Sequence, residues 1–243
     1  MLSKNEIERY SRQILSIGKE SQNILKKSRV LVLGAGGIGS GLLPYLAASG
    51  VGFIRLLEPD IVEPSNLSRQ ILYAADNIGA LKGATAVEFL SRLNPELDME
   101  WLPVGFDANN HAPIIKDVDL ILDGTDDIHC KFLLSDIAVK NAIPAIIGSI
   151  GNFQGHIFPV AGKPGFACYR CLFEKVPDEE IPTCATEGIL SPLPGIIGSM
   201  MAYLSLQFLI TRGFEKRIYL MEKGGWRHIA MNWNPHCSFC GRF

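Results

Sequence analysis

The sequence contains no long run of lysine or arginine. Its 243 residues include 23 basic and 25 acidic side chains, which gives a formal net charge of −2. Nucleic acids and anionic membrane surfaces attract basic patches, so this balance gives no support for either as a partner. With 47% hydrophobic residues, the chain is nevertheless able to bury a large core.

The N-terminus lacks the apolar segment of a secretory signal peptide, because residues 1–10 are mostly polar. The chain also shows no internal repeat and no low-complexity tract. We therefore expect a cytoplasmic protein. In that reducing compartment the six cysteines would not pair as disulfides, and two C-x-x-C spacings indicate metal binding instead.

Residues 188–211 contain no charged side chain, and this segment is almost long enough to cross a bilayer. Its first half is interrupted at Pro192, Pro194, Gly195 and Gly198. Because these residues leave too short an uninterrupted apolar stretch, we interpret the segment as a helix buried in the core or at a subunit interface. A membrane span is the alternative that this interpretation rejects.

An apolar run at residues 30–33 ends at a cluster of glycines. Gly34, Gly36 and Gly39 have the G-x-G-x-x-G spacing of a strand that turns into a helix and binds phosphate at the helix N-terminus. Glu58 ends the next apolar run, 24 residues after Gly34, where an acidic side chain commonly binds ribose. The pattern predicts a nucleotide site, and the alternative is a glycine-rich turn without a ligand.

Apolar runs and helical spacings alternate along the first 150 residues. This alternation predicts an α/β fold with a Rossmann-like, doubly wound and mostly parallel sheet. Helices are expected at residues 1–27, 82–93, 112–116 and 133–140, and strands at residues 30–33, 53–57, 101–104, 118–123 and 145–148. Residues 217–233 alternate over short runs and predict an antiparallel C-terminal extension.

Four of the cysteines form two pairs, Cys168 with Cys171 and Cys237 with Cys240, separated by 65 residues. Each pair is able to present two thiolates to one tetrahedral zinc, so we predict a structural zinc clip between distant segments, with free or redox thiols as the alternative. His236 is the substitute ligand if one thiolate does not bind. Four thiolates close the coordination shell, so this metal would not be catalytic.

Charged side chains are placed after the predicted strands or in the loops beyond them. They are Glu58, Asp60, Arg69, Lys82, Asp123 and Asp126. Cations suit a triphosphate, and a carboxylate is able to hold Mg²⁺ between phosphates. The set therefore favours a nucleoside triphosphate over a dinucleotide, although each charge taken alone could simply be solvated at the surface.

Four motifs follow one another along nearly the whole chain. They read Gly34-Ala35-Gly36-Gly37-Ile38-Gly39, Ser65-Asn66-Leu67-Ser68-Arg69-Gln70, Leu122-Asp123-Gly124-Thr125-Asp126 and Cys168-Tyr169-Arg170-Cys171. In this combination the chain resembles the ThiF/MoeB/HesA group of ubiquitin-activating-enzyme-like adenylyltransferases of thiamine and molybdopterin biosynthesis. The resemblance implies a single adenylation domain over residues 1–243. Its parts would be N-terminal helices (1–27), a nucleotide-binding core (28–150) and a part for carrier, zinc and dimer contacts (151–243).

The resemblance also implies a reaction. The protein would bind Mg-ATP and the C-terminal glycine of a small ubiquitin-fold sulfur-carrier protein. The glycine carboxylate would attack the α-phosphate, which gives an acyl-adenylate and pyrophosphate. Positioning and charge neutralisation would supply most of the catalysis.

By analogy with the family, individual residues receive roles. Glu58 would bind the ribose, Asp126 would hold Mg²⁺, and Arg12 would reach the ATP of the partner subunit in a homodimer. Asn66, Arg69 and Lys82 would contact the phosphates. Further nucleotide contacts would come from Gly34, Gly36, Gly37, Gly39, Asp60, Gln70 and Asp123. Cys184 matches a cysteine that takes part in sulfur transfer in some members, although taken alone it is better read as inert.

The sequence departs from the family pattern at three points. Glu58 stands where aspartate is usual, so Asp60 would share the ribose role, and Asp127 replaces an asparagine beside Asp126. The chain has no rhodanese-like extension, so either a separate sulfurtransferase would deliver sulfur or sulfur is not involved. The extra glycine, Gly37, is expected to keep the phosphate face unobstructed. Adenylation of another carboxylate such as a peptide C-terminus, an NAD-dependent oxidoreductase and a non-catalytic carrier scaffold are the alternative functions.

Overall fold

A single sheet runs through the computed structural model, which describes residues 1–151, 153–176, 188–223 and 225–242. Its strands are β1 (Arg29–Leu33), β2 (Phe53–Leu57), β3 (Asp98–Leu102), β4 (Leu120–Asp123), β5 (Ala145–Gly151), β6 (Gln154–Val160), β7 (Arg217–Glu222) and β8 (Gly225–Ala230). Their order across the sheet is β3-β2-β1-β4-β5-β6-β7-β8. In this order, the neighbours β3-β2-β1-β4-β5 pair in parallel, and the neighbours β5-β6-β7-β8 pair antiparallel. The predicted mostly parallel sheet with an antiparallel C-terminal extension is confirmed.

Two helices of the described residues precede β1, and the others lie between strands along the sequence. They are α1 (Lys4–Arg9), α2 (Ser11–Lys27), α3 (Gly37–Ala48), α4 (Lys82–Leu93), α5 (His111–Ile114), α6 (Ile128–Lys140), α7 (Arg170–Phe173) and α8 (Pro192–Thr211). Side chains of β1 alternate between two buried apolar clusters, with Val30 and Val32 on one face and Leu31 and Leu33 on the other. Both faces of the central strand are thus covered by helices, as a doubly wound sheet requires.

Several element boundaries differ from the sequence prediction, and two of them have a clear physical reason. Helix α6 begins at Ile128, five residues before the expected start, because the Asp127 side chain caps it by accepting a hydrogen bond from the His129 N–H at 2.8 Å. Strand β3 covers Asp98–Leu102 instead of residues 101–104, because it pairs residue by residue with β2. The position of β3 is fixed by its pairing with β2, which the sequence pattern of β3 alone does not reveal.

Helix α8 contains the uncharged segment. Among the described residues it is the one helix long and apolar enough to cross a membrane, yet more than half of its most apolar stretch is buried in the protein. It packs against α3 so closely that a Cβ on Gly41 would lie 2.7 Å from the Gly195 carbonyl oxygen. A Cβ on Gly198 would lie 2.2 Å from the Ile38 carbonyl oxygen. Gly198 on α8 and Gly41 on α3 therefore allow two helix backbones to touch, which supports the interpretation as a core helix.

Candidate active site

A cavity of about 290 Å³ opens at the carboxyl ends of β1, β2 and β4, where the strand order reverses. Ligands of open α/β sheets bind at this position. Nine of the residues predicted to bind nucleotide or metal line it together: Gly34, Gly36, Gly37, Glu58, Asp60, Arg69, Gln70, Lys82 and Asp126. Val104, Gly105 and Phe106 add an apolar wall that the sequence analysis did not single out. The fold thus collects charges from distant segments around one space.

The glycine turn has the geometry that its spacing predicts. Gly34 has a φ of +87°, a conformation that favours glycine. A Cβ on Gly39 would lie 2.3 Å from the Gly34 carbonyl oxygen, so the third glycine permits helix and strand to pack. Helix α3 begins at Gly37 beside the cavity, where its free N–H groups favour an anion.

The fourth glycine, Gly37, has a different requirement from the expected one. A Cβ at this position would lie 2.9 Å from the Pro194 Cβ on α8, which is a contact within the protein. Gly37 also lines the cavity. Packing of α8 against the turn, and not only an open phosphate face, therefore explains this glycine.

Glu58 is buried and fastens the turn to the loop after β2. Its two carboxylate oxygens accept hydrogen bonds from the Ala35 N–H at 2.7 Å and the Asp60 N–H at 3.0 Å. Burial raises the pKa of Glu58 above its usual value, although the two backbone N–H groups act in the opposite direction. The carboxylate thus has a structural role before any ligand binds, and its contact with ribose stays a prediction.

Two cations, Lys82 and Arg69, line the cavity. The buried Lys82 ammonium donates to Asp60 Oδ2 at 3.1 Å, and Asp60 itself is largely exposed. Arg69 is exposed and donates to the Ser65 carbonyl oxygen at 2.9 Å. Asn66 does not line the cavity, because its side-chain oxygen accepts the Glu63 N–H at 3.1 Å. Lys82 and Arg69 are thus placed to meet phosphate charge, whereas Asn66 shapes the loop.

Gln70 carries an unusual polar atom. The residue is 5% exposed and lines the cavity, and among the described residues its Oε1 has no hydrogen-bond partner. A buried acceptor without a donor is costly. ATP offers donors in its ribose hydroxyls and its amino group, so this orphaned oxygen fits a nucleotide in the cavity.

The loop after β4 is anchored by hydrogen bonds to a buried carboxylate. Asp123 is fully buried, and its Oδ1 accepts from the Thr125 N–H at 2.9 Å and the Thr125 hydroxyl at 2.7 Å. It does not line the cavity, whereas the exposed Asp126 and Asp127 of the same loop do. The Lys131 ammonium reaches Asp123 Oδ2 at 3.2 Å. Sequence reasoning missed Lys131, and the only signal was a lysine among apolar residues at the start of a helix.

The four paired cysteines converge near the C-terminal end of α6. Their sulfur atoms all lie within 4.8 Å of one another, with Cys171 and Cys240 at 3.4 Å and Cys168 and Cys237 at 3.7 Å. Four thiolates around zinc are about 3.8 Å apart, given a Zn–S bond of about 2.3 Å. Burial opposes ionisation of Cys237, but the N–H groups of Phe239 and Cys240 lower its pKa to about 7. The donor set fits a zinc ion.

The remaining residues of interest are Arg12, Cys130 and Cys184. Arg12 is exposed on α2 and does not line the cavity of its own chain. Cys130 lines the cavity, but burial raises the pKa of its thiol, as suits an unreactive cysteine. Cys184 lies outside the described residues.

Comparisons with known proteins agree with this geometry. The model of the ThiF family matches residues 10–237. A sulfur carrier protein adenylyltransferase of Thermus thermophilus is 36% identical over 251 residues, which cover 98% of this chain and 92% of that protein. The SAMP-activating enzyme E1 of Haloferax volcanii is 34% identical over 247 residues, 99% of this chain and 91% of that protein.

The fold also matches solved structures. The crystal structure of E. coli MccB with ATP superposes with a TM-score of 0.84 at 22% identity, and the match covers 98% of this chain and 75% of that one. Because the family model matches most of the sequence and both relatives exceed 30% identity over nearly all of it, this chain belongs to the ThiF family of E1-like adenylyltransferases.

Proposed function

We propose that the protein uses ATP to adenylate the C-terminal glycine carboxylate of a small ubiquitin-fold sulfur-carrier protein. The observation that carries this proposal is the single cavity shared by the glycine turn, Lys82, Arg69 and Asp126. The names of the Thermus and Haloferax relatives support a carrier-protein substrate. In the reaction a carboxylate oxygen forms a bond to the α-phosphorus. The bond between the α-phosphorus and the oxygen that bridges it to the β-phosphate breaks, and pyrophosphate leaves with that oxygen.

Each residue acts on charge or position. The α3 N-terminus binds phosphate oxygens through its N–H groups, and Lys82 and Arg69 neutralise the charge that builds up on the leaving pyrophosphate. The exposed carboxylate of Asp126 would hold Mg²⁺, which would supply positive charge to offset that of the phosphates. Glu58 and Asp60 lie where the ribose would bind, and Gln70 would accept a hydrogen bond from the nucleotide.

Four finer features belong to the same proposal. We expect the cysteine cluster to hold structural Zn²⁺, since the four thiols have the spacing of a tetrahedral site. We expect a homodimer in which the exposed Arg12 reaches the partner's ATP, with residues 151–243 contributing to carrier and dimer contacts. The five cysteines among the described residues form no disulfide, which suits a cytoplasmic protein. Cys184 remains the candidate residue for a sulfur-transfer step.

ATP–pyrophosphate exchange tests the proposal. The protein should catalyse exchange only when a carrier ending in Gly-Gly is present, and Asp126→Ala should abolish it because the metal loses its ligand. Asp76→Ala is the control, since Asp76 is exposed and does not line the cavity.

Exchange that survives Asp126→Ala would reject the metal role of this carboxylate. Absence of exchange with every carrier tried would favour the scaffold alternative. Tight binding of NADH, seen as a change in its fluorescence, would instead favour the oxidoreductase. For the homodimer, an Arg12→Ala chain mixed with an Asp126→Ala chain should regain exchange activity, and failure to do so would argue against Arg12 acting across subunits.

A further inference from the structure

Lys131 is a lysine whose charge is almost completely enclosed. Its side chain is 3% exposed, and the ammonium donates three hydrogen bonds. The acceptors are Asp123 Oδ2 at 3.2 Å, the Thr125 carbonyl oxygen at 2.7 Å and the Gly148 carbonyl oxygen at 2.7 Å. An ammonium has three donors, so every one of them is used.

These acceptors belong to three different places. Asp123 ends β4, Thr125 lies in the following loop, and Gly148 lies in β5. Taking an ammonium and a carboxylate out of water offsets most of their attraction, so such a pair is a poor source of stability. Its effect is to fix geometry, because any movement of the loop would leave a buried charge without its partners.

The loop that Lys131 fixes also meets the glycine turn. A Cβ on Gly34 would lie 3.3 Å from the Thr125 methyl group, and a Cβ on Gly124 would lie 3.2 Å from the Ile38 side chain. The loop thus accepts a hydrogen bond from the Lys131 ammonium and also packs against the phosphate-binding turn. Asp126 is the next residue along, and its carboxylate is exposed to the cavity.

We propose that Lys131 is a positioning residue that sets the place of the Asp126 carboxylate, and through it the affinity of the nucleotide site for a divalent cation. The inference rests on the proposed function, in which Asp126 holds the metal. Lys131 itself touches neither ligand. Its contacts lie beneath the loop, and Thr125 and Asp126 transmit its position to the cavity.

The test measures metal binding apart from catalysis. Mn²⁺ is titrated into the protein with a non-hydrolysable ATP analogue and followed by electron paramagnetic resonance, and binding of the same analogue is measured without metal. Lys131→Met should weaken Mn²⁺ binding by about tenfold or more, as loss of a group that orients a metal ligand does. Metal-free nucleotide binding should change less than about twofold, because Lys82, Arg69 and the α3 N-terminus are unaltered.

Companion variants separate the outcomes. The double variant Asp123→Asn with Lys131→Met removes both charges, so it avoids an unpaired buried carboxylate and should fold even if the single variant does not. It should also bind Mn²⁺ weakly, whereas Lys131→Arg should retain part of the affinity. Lys140→Met, at the exposed C-terminal end of the same helix, is the control.

Two results would overturn the inference. If Asp126→Ala loses Mn²⁺ binding while both Lys131→Met variants keep it, Lys131 is only structural and the proposed site stands. If Asp126→Ala keeps Mn²⁺ binding, the metal role of Asp126 fails, and the role of Lys131 fails with it.

Discussion

At the scale of single residues, Gln70 distinguishes a site built for a ligand from a merely well-packed loop. Its carboxamide oxygen is buried without a donor, and no other buried side-chain oxygen or nitrogen of the described cavity lining lacks a partner. An unpaired buried acceptor lowers stability by about 1–3 kcal/mol. Its retention is explained if a bound nucleotide supplies the missing donor.

Replacement of Gln70 should therefore move stability and binding in opposite directions. In Gln70→Met the free protein should be as stable as the wild type or more stable by about 1 kcal/mol, because the orphaned oxygen is gone. ATP should bind about threefold to tenfold more weakly, because one hydrogen bond is lost. Chemical unfolding and titration calorimetry measure the two quantities. Gln207→Met, on the exposed side of α8, is the control, and unchanged ATP affinity in Gln70→Met would refute the role.

At the scale of elements, local patterns predicted much of the molecule. The helix at Lys82–Leu93 was bounded correctly because Asn94-Pro95 ends it, and the glycine turn was recognised because its spacing reports its own backbone. Lys131 could not be found in this way. Its buried ammonium donates to the Gly148 carbonyl oxygen, 17 residues away in strand β5, whereas a lysine on a helix is ordinarily solvated.

The contact between α3 and α8 is the element-level feature most sensitive to substitution. Gly198→Ala would place a Cβ 2.2 Å from the Ile38 carbonyl oxygen, so the helices would have to separate. We expect a loss of about 2–3 kcal/mol in the free energy of unfolding, measured with urea. ATP binding should weaken too, because Pro194 of α8 packs on the turn at Gly37.

Gly195→Ala provides a matched comparison on the same helix. A Cβ at Gly195 would meet nothing within 4 Å, and alanine favours a helix more than glycine does. This variant should be as stable as the wild type or more so. Equal losses in the two variants would show that close helix packing is not the cause.

At the scale of the whole molecule, the cysteine cluster joins a segment after β6 to one after β8. If zinc closes this connection, its removal should release about 65 residues from a constraint. We expect a chelator to lower the melting temperature by about 10 °C, and metal analysis to give about one zinc per chain. Neither effect should appear in a Cys168→Ser plus Cys171→Ser variant. A chain that contains zinc but melts at the same temperature without it would contradict a structural role.

The packing of α8 also has a consequence for how the chain is made. Among the described residues, most elements that pack on α8 (α2, α3 and the strands β4 to β6) precede it in sequence, whereas Phe214, which stacks on Phe208, follows it. When the uncharged helix leaves the ribosome, most of its binding surface has already been synthesised, and domains fold as their N-terminal parts emerge. A segment apolar enough to attract membrane-insertion machinery can thus be largely covered as it emerges, and the last cysteine pair is synthesised after it.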